Sequence, residues 1–338
     1  MHGVPNSSAT LKAHTDNFQV AETLSFTPTG EGEHTYLFIE KVGLNTGYVA
    51  QCLAKHFGIS EVKVGFAGRK DKHARTQQWF SVQSKNISQT QIEQFQLEGT
   101  SVLDVTRHAK KLQTGAIKSN QFEILLTDLS PDSELESRLQ QVATSGVPNY
   151  FGQQRFGMIY DDNTFSNLKL AERLIAGETI KKREKRSLAI SALRSWLFNQ
   201  FVSKRISTPN FLHPQQGDVF NLAGSNSFFV ADDIDASIVE RVKKRDITLA
   251  APLWGLGDLK SKHLPLEFEK EVVSRYPEIA KTLESLGLKQ ERRALFLFPQ
   301  DFEYEINNNA LLLRFSLPKG CFATSVIREL VALNALPH

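Results

Sequence analysis

One stretch of the chain carries residue types suited to acid–base or nucleophilic chemistry at a polyanion. It reads Ala67-Gly68-Arg69-Lys70-Asp71-Lys72-His73-Ala74-Arg75-Thr76, a single carboxylate among five basic side chains. Those neighbours favour the ionised form of Asp71 and attract a phosphate backbone. Arg69, Lys70, Lys72 and Arg75 are the candidate phosphate contacts, with His73 a further polar loop residue. A solvated basic turn has the same composition, so the pattern needs support from residues elsewhere.

Other chemistries lack their residues. There is no Gly-x-Gly-x-x-Gly between a strand and a helix, and no phosphate-binding P-loop. No serine stands in a nucleophile elbow. The nine histidines make no metal-ligand spacing with carboxylates, and Cys52 and Cys321 form neither a disulfide framework nor a zinc pattern. Carboxylate chemistry with no metal and no cofactor is what this leaves. Two further basic clusters, one containing Lys110 and Lys111 and one containing Lys182 and Arg183, are suited to holding phosphates rather than reading bases.

The elements that must position Asp71 follow from periodicity. Residues 62–67 read as a strand with Val62, Val64 and Phe66 on one face, and Gly68 lets the backbone turn away. Residues 11–22 read as an extended entry, 35–40 as a strand, and 46–57 as a helix with Asn45 at its N-cap and Gly58 as its stop. Strands are expected at 78–82, 102–105 and 120–126, with helices at 90–95 and 133–143. After Gly146-Val147-Pro148 the composition shifts to helices at 166–175, 187–206 (an apolar stripe of Leu188, Leu193, Leu197, Phe198 and Phe201) and 265–286, broken before Pro277. A hairpin is expected within 216–230. Strand character returns as a hairpin over 303–315 with an asparagine turn, followed by a helix over 325–333. A hairpin and helix alone make a poor domain, so both chain ends are expected to build one α+β domain, 1–147 with 297–338. The helix-rich stretch 148–296 would then be an insertion.

With 338 residues the chain is long enough for two domains. Its 41% hydrophobic and 23% charged residues are those of a soluble globular protein, and the net charge of +3 makes any polyanion-binding surface local. No apolar run approaches the roughly 20 residues needed to cross a bilayer. The first residues carry no secretion signal, so a cytoplasmic location is expected. No coiled coil is evident, and a monomer is expected.

The stretch 67–77 closely resembles the signature of the TruD family of tRNA pseudouridine synthases. Gly146-Val147-Pro148-Asn149-Tyr150-Phe151-Gly152-Gln153-Gln154-Arg155-Phe156-Gly157 is similar to that family's second signature. The resemblance continues, in order, through Leu11-Lys12, Phe18-x-Val20-x-Glu22, Ser119-Asn120-Gln121-Phe122 and residues 322–329. Arg69 falls where the family commonly has another residue.

The resemblance implies a pseudouridine-synthase core, a mixed and largely antiparallel sheet with flanking helices, interrupted by an inserted domain of the family's own type. It implies isomerisation of uridine, at position 13 of tRNA, without cofactor or metal. Asp71 matches the catalytic aspartate and Lys12 a basic residue that would keep it charged and oriented. Phe18, Asn120, Phe122 and Phe322 match the uridine pocket. Arg155, in the second signature, is a candidate RNA contact. Two rivals stand beside this reading: a tRNA-binding or chaperone protein without catalysis, and a glycosidase-like enzyme for free nucleosides. The basic surface and large insertion favour a macromolecular substrate over the latter.

Overall fold

The computed structural model describes residues 1–84, 87–160, 164–225 and 227–334. The chain divides into two compact units. One comprises 2–145, 298–323 and 327–338; the other comprises residue 1, 146–297 and 324–326.

The first unit opens with β1 (Ser8–Thr10), β2 (Phe18–Leu24) and β3 (His34–Val42), then α1 (Thr46–His56), β4 (Val64–Phe66) and β5 (Arg75–Gln83). Next come α2 (Gln89–Glu93), β6 (Thr100–His108), β7 (Ile117–Ser130) and α3 (Leu135–Ser145). Alternation of apolar residues fixes which side of each strand is covered. In β3 it buries Leu37 and Ile39, in β5 Phe80 and Val82, and in β2 Phe18 and Val20. Val49, Ala50, Leu53 and Ala54 of α1 pack on the β3 and β5 residues of this set. That helix starts at Asn45, as expected, although the Asn45 side chain makes no capping bond; it is followed by Gly58 at φ 63°.

One expectation fails near the central loop. Val62 does not share a strand face with Val64 and Phe66: residues 61–63 form a short 3-10 turn, and Val62 is 79% exposed. At Gly68 the expected relief of a Cβ clash holds in part: a Cβ there would stand 2.9 Å from Ile117 Cδ1, the end of a side chain that can shift.

The second unit begins with β8 (Val147–Pro148), α4 (Gln153–Phe156), α5 (Ser166–Ile175) and α6 (Arg183–Ile206). There follow β9 (Val219–Leu222), β10 (Phe228–Val230), α7 (Ala236–Lys243), β11 (Ile247–Leu253), α8 (His263–Ser274), α9 (Pro277–Ser285), β12 (Glu291–Ala294) and β13 (Phe296–Leu297). Its axis is α6, whose Ala189, Leu193, Leu197, Phe198 and Phe201 are buried. Leu188, assigned above to the same stripe, is instead 49% exposed near the helix start. The expected hairpin is β9–β10, with Asn226 outside the described residues. β11 and β12 extend it to an antiparallel sheet in the order β10-β9-β11-β12. Where the chain enters and leaves this unit, β8 and β13 pair antiparallel, Val147 opposite Leu297.

The chain then returns with β14 (Gln300–Asn307), β15 (Ala310–Pro318), α10 (Ala323–Leu330) and β16 (Ala332–Leu333). Asn308, at φ 48°, makes the asparagine turn of the β14–β15 hairpin. The large sheet has ten strands, with β14-β15-β7-β2-β5-β3-β6 as its main path. Along that path only β2 and β5 run parallel. No helix among the described residues is long and apolar enough to cross a membrane.

Candidate active site

Asp71 stands in the loop between β4 and β5. Its Oδ2 accepts a hydrogen bond from Lys12 Nζ at 2.7 Å. The Asp71 side chain is 39% exposed and that of Lys12 17%, so the pair is reachable from solvent without being bathed in it. Lys12 holds a left-handed backbone, φ 61°, which costs a non-glycine residue about 1 kcal/mol or more. Its ammonium also lies 4.2 Å from the centre of the Phe18 ring, a cation–π contact that orients the side chain.

The loop carrying Asp71 is tied down from below by inward side chains of three strands and one helix. Gln78 donates to Gly68 O at 3.1 Å. Thr46, at the start of α1, accepts from Lys70 N–H at 2.9 Å and donates to Gln78 Oε1 at 2.8 Å. Lys41, in β3, donates to Asp71 O at 2.9 Å and to Leu44 O at 2.8 Å. Lys70 turns its ammonium onto Glu22 of β2, 2.5 Å from Oε2, while Trp79 N–H donates to Oε1 at 2.6 Å. Burial pushes the Lys41 ammonium down to about 8, against the opposing pull of Asp71. Burial also pushes the Glu22 carboxyl up from its usual range, although Lys70 and the Trp79 N–H pull it the other way.

An aromatic wall adjoins this pair. Phe18 is buried and meets Phe122 edge to face at 6.1 Å, and Phe122 stacks on Phe315 at 5.5 Å. Sheet register explains the grouping: Val20 lies opposite Phe122, and Glu22 opposite Asn120. Asn120 Oδ1 is buried and has no hydrogen-bond partner, which leaves an acceptor unsatisfied on the face that carries Glu22. Phe322 is half-buried at the cap position of α10, just after β15.

The basic candidates separate by where they point. Arg69 and Lys72 are exposed, as is His73. Lys70 is not at the surface, being committed to Glu22. Arg75 lies between Asp16 at 2.7 Å and Glu40 at 2.5 Å, so its charge is already balanced. It lines a cleft of about 340 Å³ together with Gln19, Gln77, Gln121, Phe122, Arg314 and Phe315. Lys110 is exposed, whereas Lys111 is half-buried and donates to Val62 O at 2.5 Å. In the other unit, Arg155 donates to Ser191 Oγ at 2.7 Å and lies 5.1 Å from the Phe151 ring centre. Lys182 and Arg183 are exposed at the start of α6.

Lys41, Thr46 and Gln78 escaped the sequence reading, though two of them left a trace. Leu37, Ile39 and Lys41 share a period of two, as do Gln78, Phe80 and Val82. A lysine and a glutamine therefore stand at inward strand positions, where an apolar residue is the norm. Among the described residues, no group of three or more His, Cys, Asp or Glu side chains is placed to hold a metal ion.

Comparison with known proteins agrees over almost the whole length. Residues 1–165 and 178–330 match the family model described as tRNA pseudouridine synthase D (TruD). The tRNA pseudouridine synthase D of Pseudoalteromonas atlantica is 48% identical over 332 residues, 98% of this chain and 95% of that protein. Its namesake from Colwellia psychrerythraea is 39% identical over 341 residues, 98% of this chain and 92% of that protein. The crystal structure of the putative tRNA pseudouridine synthase D (TruD) from Methanosarcina mazei shares the fold, with a TM-score of 0.73 at 20% identity, covering 97% of this chain and 94% of that one. The chain belongs to the TruD family of tRNA pseudouridine synthases.

Proposed function

We propose that this protein isomerises uridine 13 of tRNA to pseudouridine at the Asp71–Lys12 pair. Uridine isomerisation in tRNA is the activity of the family; the position and the residues are our reading. The reaction breaks the bond from ribose C1′ to N1 of uracil, turns the base, and forms a bond from C1′ to C5. The proton on C5 leaves and N1 gains one, so the product is an isomer and no external oxidant or reductant is consumed. As the first bond breaks, the sugar gains positive character. An ionised carboxylate close to it can stabilise or trap that charge. Lys12 fixes which oxygen of Asp71 is engaged.

The observation that carries this reading is the 2.7 Å contact between Lys12 and Asp71 beside the Phe18–Phe122 wall. A uridine must leave the tRNA stack to reach them, at a cost of a few kcal/mol. Stacking on an aromatic face returns on the order of 1–3 kcal/mol. Phe122 and the half-buried Phe322 are the faces we assign to that task, with Phe18 supporting Phe122 from its edge. The unsatisfied Oδ1 of Asn120 suits the N3–H of uracil, a donor that cytosine lacks.

Exposed Arg69, Lys72, Lys110, Lys182 and Arg183 are the phosphate contacts we favour, and Arg155 keeps a place beside them through the second signature. Lys70, Lys111 and Arg75 are spent on internal partners. If phosphate neutralisation drives binding, affinity for tRNA should fall steeply between about 50 and 200 mM salt. A flat response would remove these residues from the interface. Every group of the proposed chemistry comes from one chain, so a monomer suffices, and a cytoplasmic location goes with a tRNA substrate.

Incubation with unmodified tRNA and with the same tRNA carrying cytidine at position 13 tests the assignment. Pseudouridine should form at position 13 of the first and nowhere in the second. Product at another uridine of both would refute the positional claim.

A further inference from the structure

We infer that Lys41 is a positioning residue for the reaction, holding the Asp71 main chain in place and supplying a buried positive charge beneath its carboxylate. The inference rests on the reading of Asp71 given above.

Lys41 is 0% exposed, one of the largest fully buried side chains in the protein. Its hydrogen bonds go to two main-chain carbonyls, Asp71 O and Leu44 O, rather than to a carboxylate. A buried ammonium without a directly bonded counter-ion is costly, and an apolar residue of the same length would pack there at less expense to stability. What methionine could not do is clasp Asp71 O and Leu44 O together. That clasp joins the turn leading into α1 to the loop of the carboxylate. A nucleophile held in this way stays within the small displacement that the reaction geometry tolerates.

The surroundings of Lys41 are largely uncharged apart from the active-site loop. Its cross-strand neighbours are Thr76 on β5 and Thr100 on β6. From the loop come Asp71, whose charge favours the ammonium, and Lys70, whose charge opposes it. Glu22 of β2 is engaged with Lys70, and Lys12 with Asp71. Glu40 and Arg75, paired with each other, lie on the opposite side of their strands. Burial brings Lys41 down to about 8, so its charge is present below that pH and lost above it.

The test is Lys41→Met, compared with wild type and with Asp71→Asn on unmodified tRNA. We expect kcat to fall about 100-fold, Kd for tRNA to stay within about twofold, and the melting temperature to stay within roughly a few degrees of wild type, because two carbonyls lose a donor while a buried charge is removed. In the wild type, kcat should decline as pH rises through about 8 toward the level of the variant, and in the variant that decline should be absent. A Lys41→Met protein with wild-type kcat overturns the inference, as does one whose kcat loss is matched by a fall in melting temperature with the decline near pH 8 intact. Should the variant fail to fold, the wild-type profile decides alone: a kcat that is level from pH 7 to 9.5 overturns it. Failure of the underlying reading looks different, because Asp71→Asn would then remain active.

Discussion

Replacing Asp71 with asparagine should lower kcat for pseudouridine formation by about 1,000-fold or more, with tRNA binding retained. Asparagine has the shape of aspartate and preserves a carbonyl that can accept from Lys12, so the loop should keep its course. The substitution removes the negative charge, and with it the group able to meet the cationic sugar. Stability should hardly move. The Asp71 side chain is 39% exposed, and partly exposed ion pairs contribute about 0–1 kcal/mol. Binding of tRNA should be equal or slightly tighter, since Lys12 is then left with an uncompensated charge near a polyanion. Filter binding, single-turnover kinetics and thermal melting on the same preparation separate these effects. A loss of kcat accompanied by a large loss of stability would show that Asp71 holds the fold rather than the reaction.

The second large effect is on stability. Glu22→Gln should cost about 3–5 kcal/mol, because it leaves the Lys70 ammonium buried without its partner. Both carboxylate oxygens are in use, one by Lys70 and one by Trp79 N–H, and the Glu22 side chain is 0% exposed. Burial raises the Glu22 carboxyl in spite of both attractions, which means desolvation outweighs the pairing. Replacing a whole buried pair by packed apolar side chains is often neutral or stabilising. The double variant Glu22→Met with Lys70→Met should recover most of the loss. Urea denaturation of the three proteins checks both statements; a single variant within 1 kcal/mol of wild type would contradict them. Because Lys70 immediately precedes Asp71, the double variant should remain folded yet turn over more slowly.

The contrast between Asp71 and Lys70 shows what can be learned from sequence here. The strand alternation of β2, β5 and β15 points to the large sheet. The first signature singles out Asp71, and the shorter matching segments single out Lys12, Phe18, Asn120, Phe122 and Phe322 as candidates. Structure then puts Lys12 on Asp71 and Phe18 against Phe122. Composition treats every cation of a basic loop as facing solvent, and that holds for Arg69 and Lys72 but not for Lys70 or Arg75. The deciding carboxylates, Glu22, Glu40 and Asp16, come from segments distant in sequence, and no local pattern reveals them. Lys41 lies one residue beyond the stretch 35–40 that reads as a strand, so its inward position is concealed. In the other unit, β11 and β12 were missed because Pro252 and the Arg292-Arg293 pair interrupt the apolar runs that signal strands. Val62 shows the reverse error, a period-two match that the 3-10 turn at 61–63 breaks.

The most direct test maps pseudouridine along unmodified tRNA, nucleotide by nucleotide, after incubation with saturating wild-type protein and with saturating Asp71→Asn. The account predicts modification of uridine 13 by the wild type and none by the variant, although both hold the tRNA. Modification of uridine 13 by Asp71→Asn at the wild-type rate would contradict it.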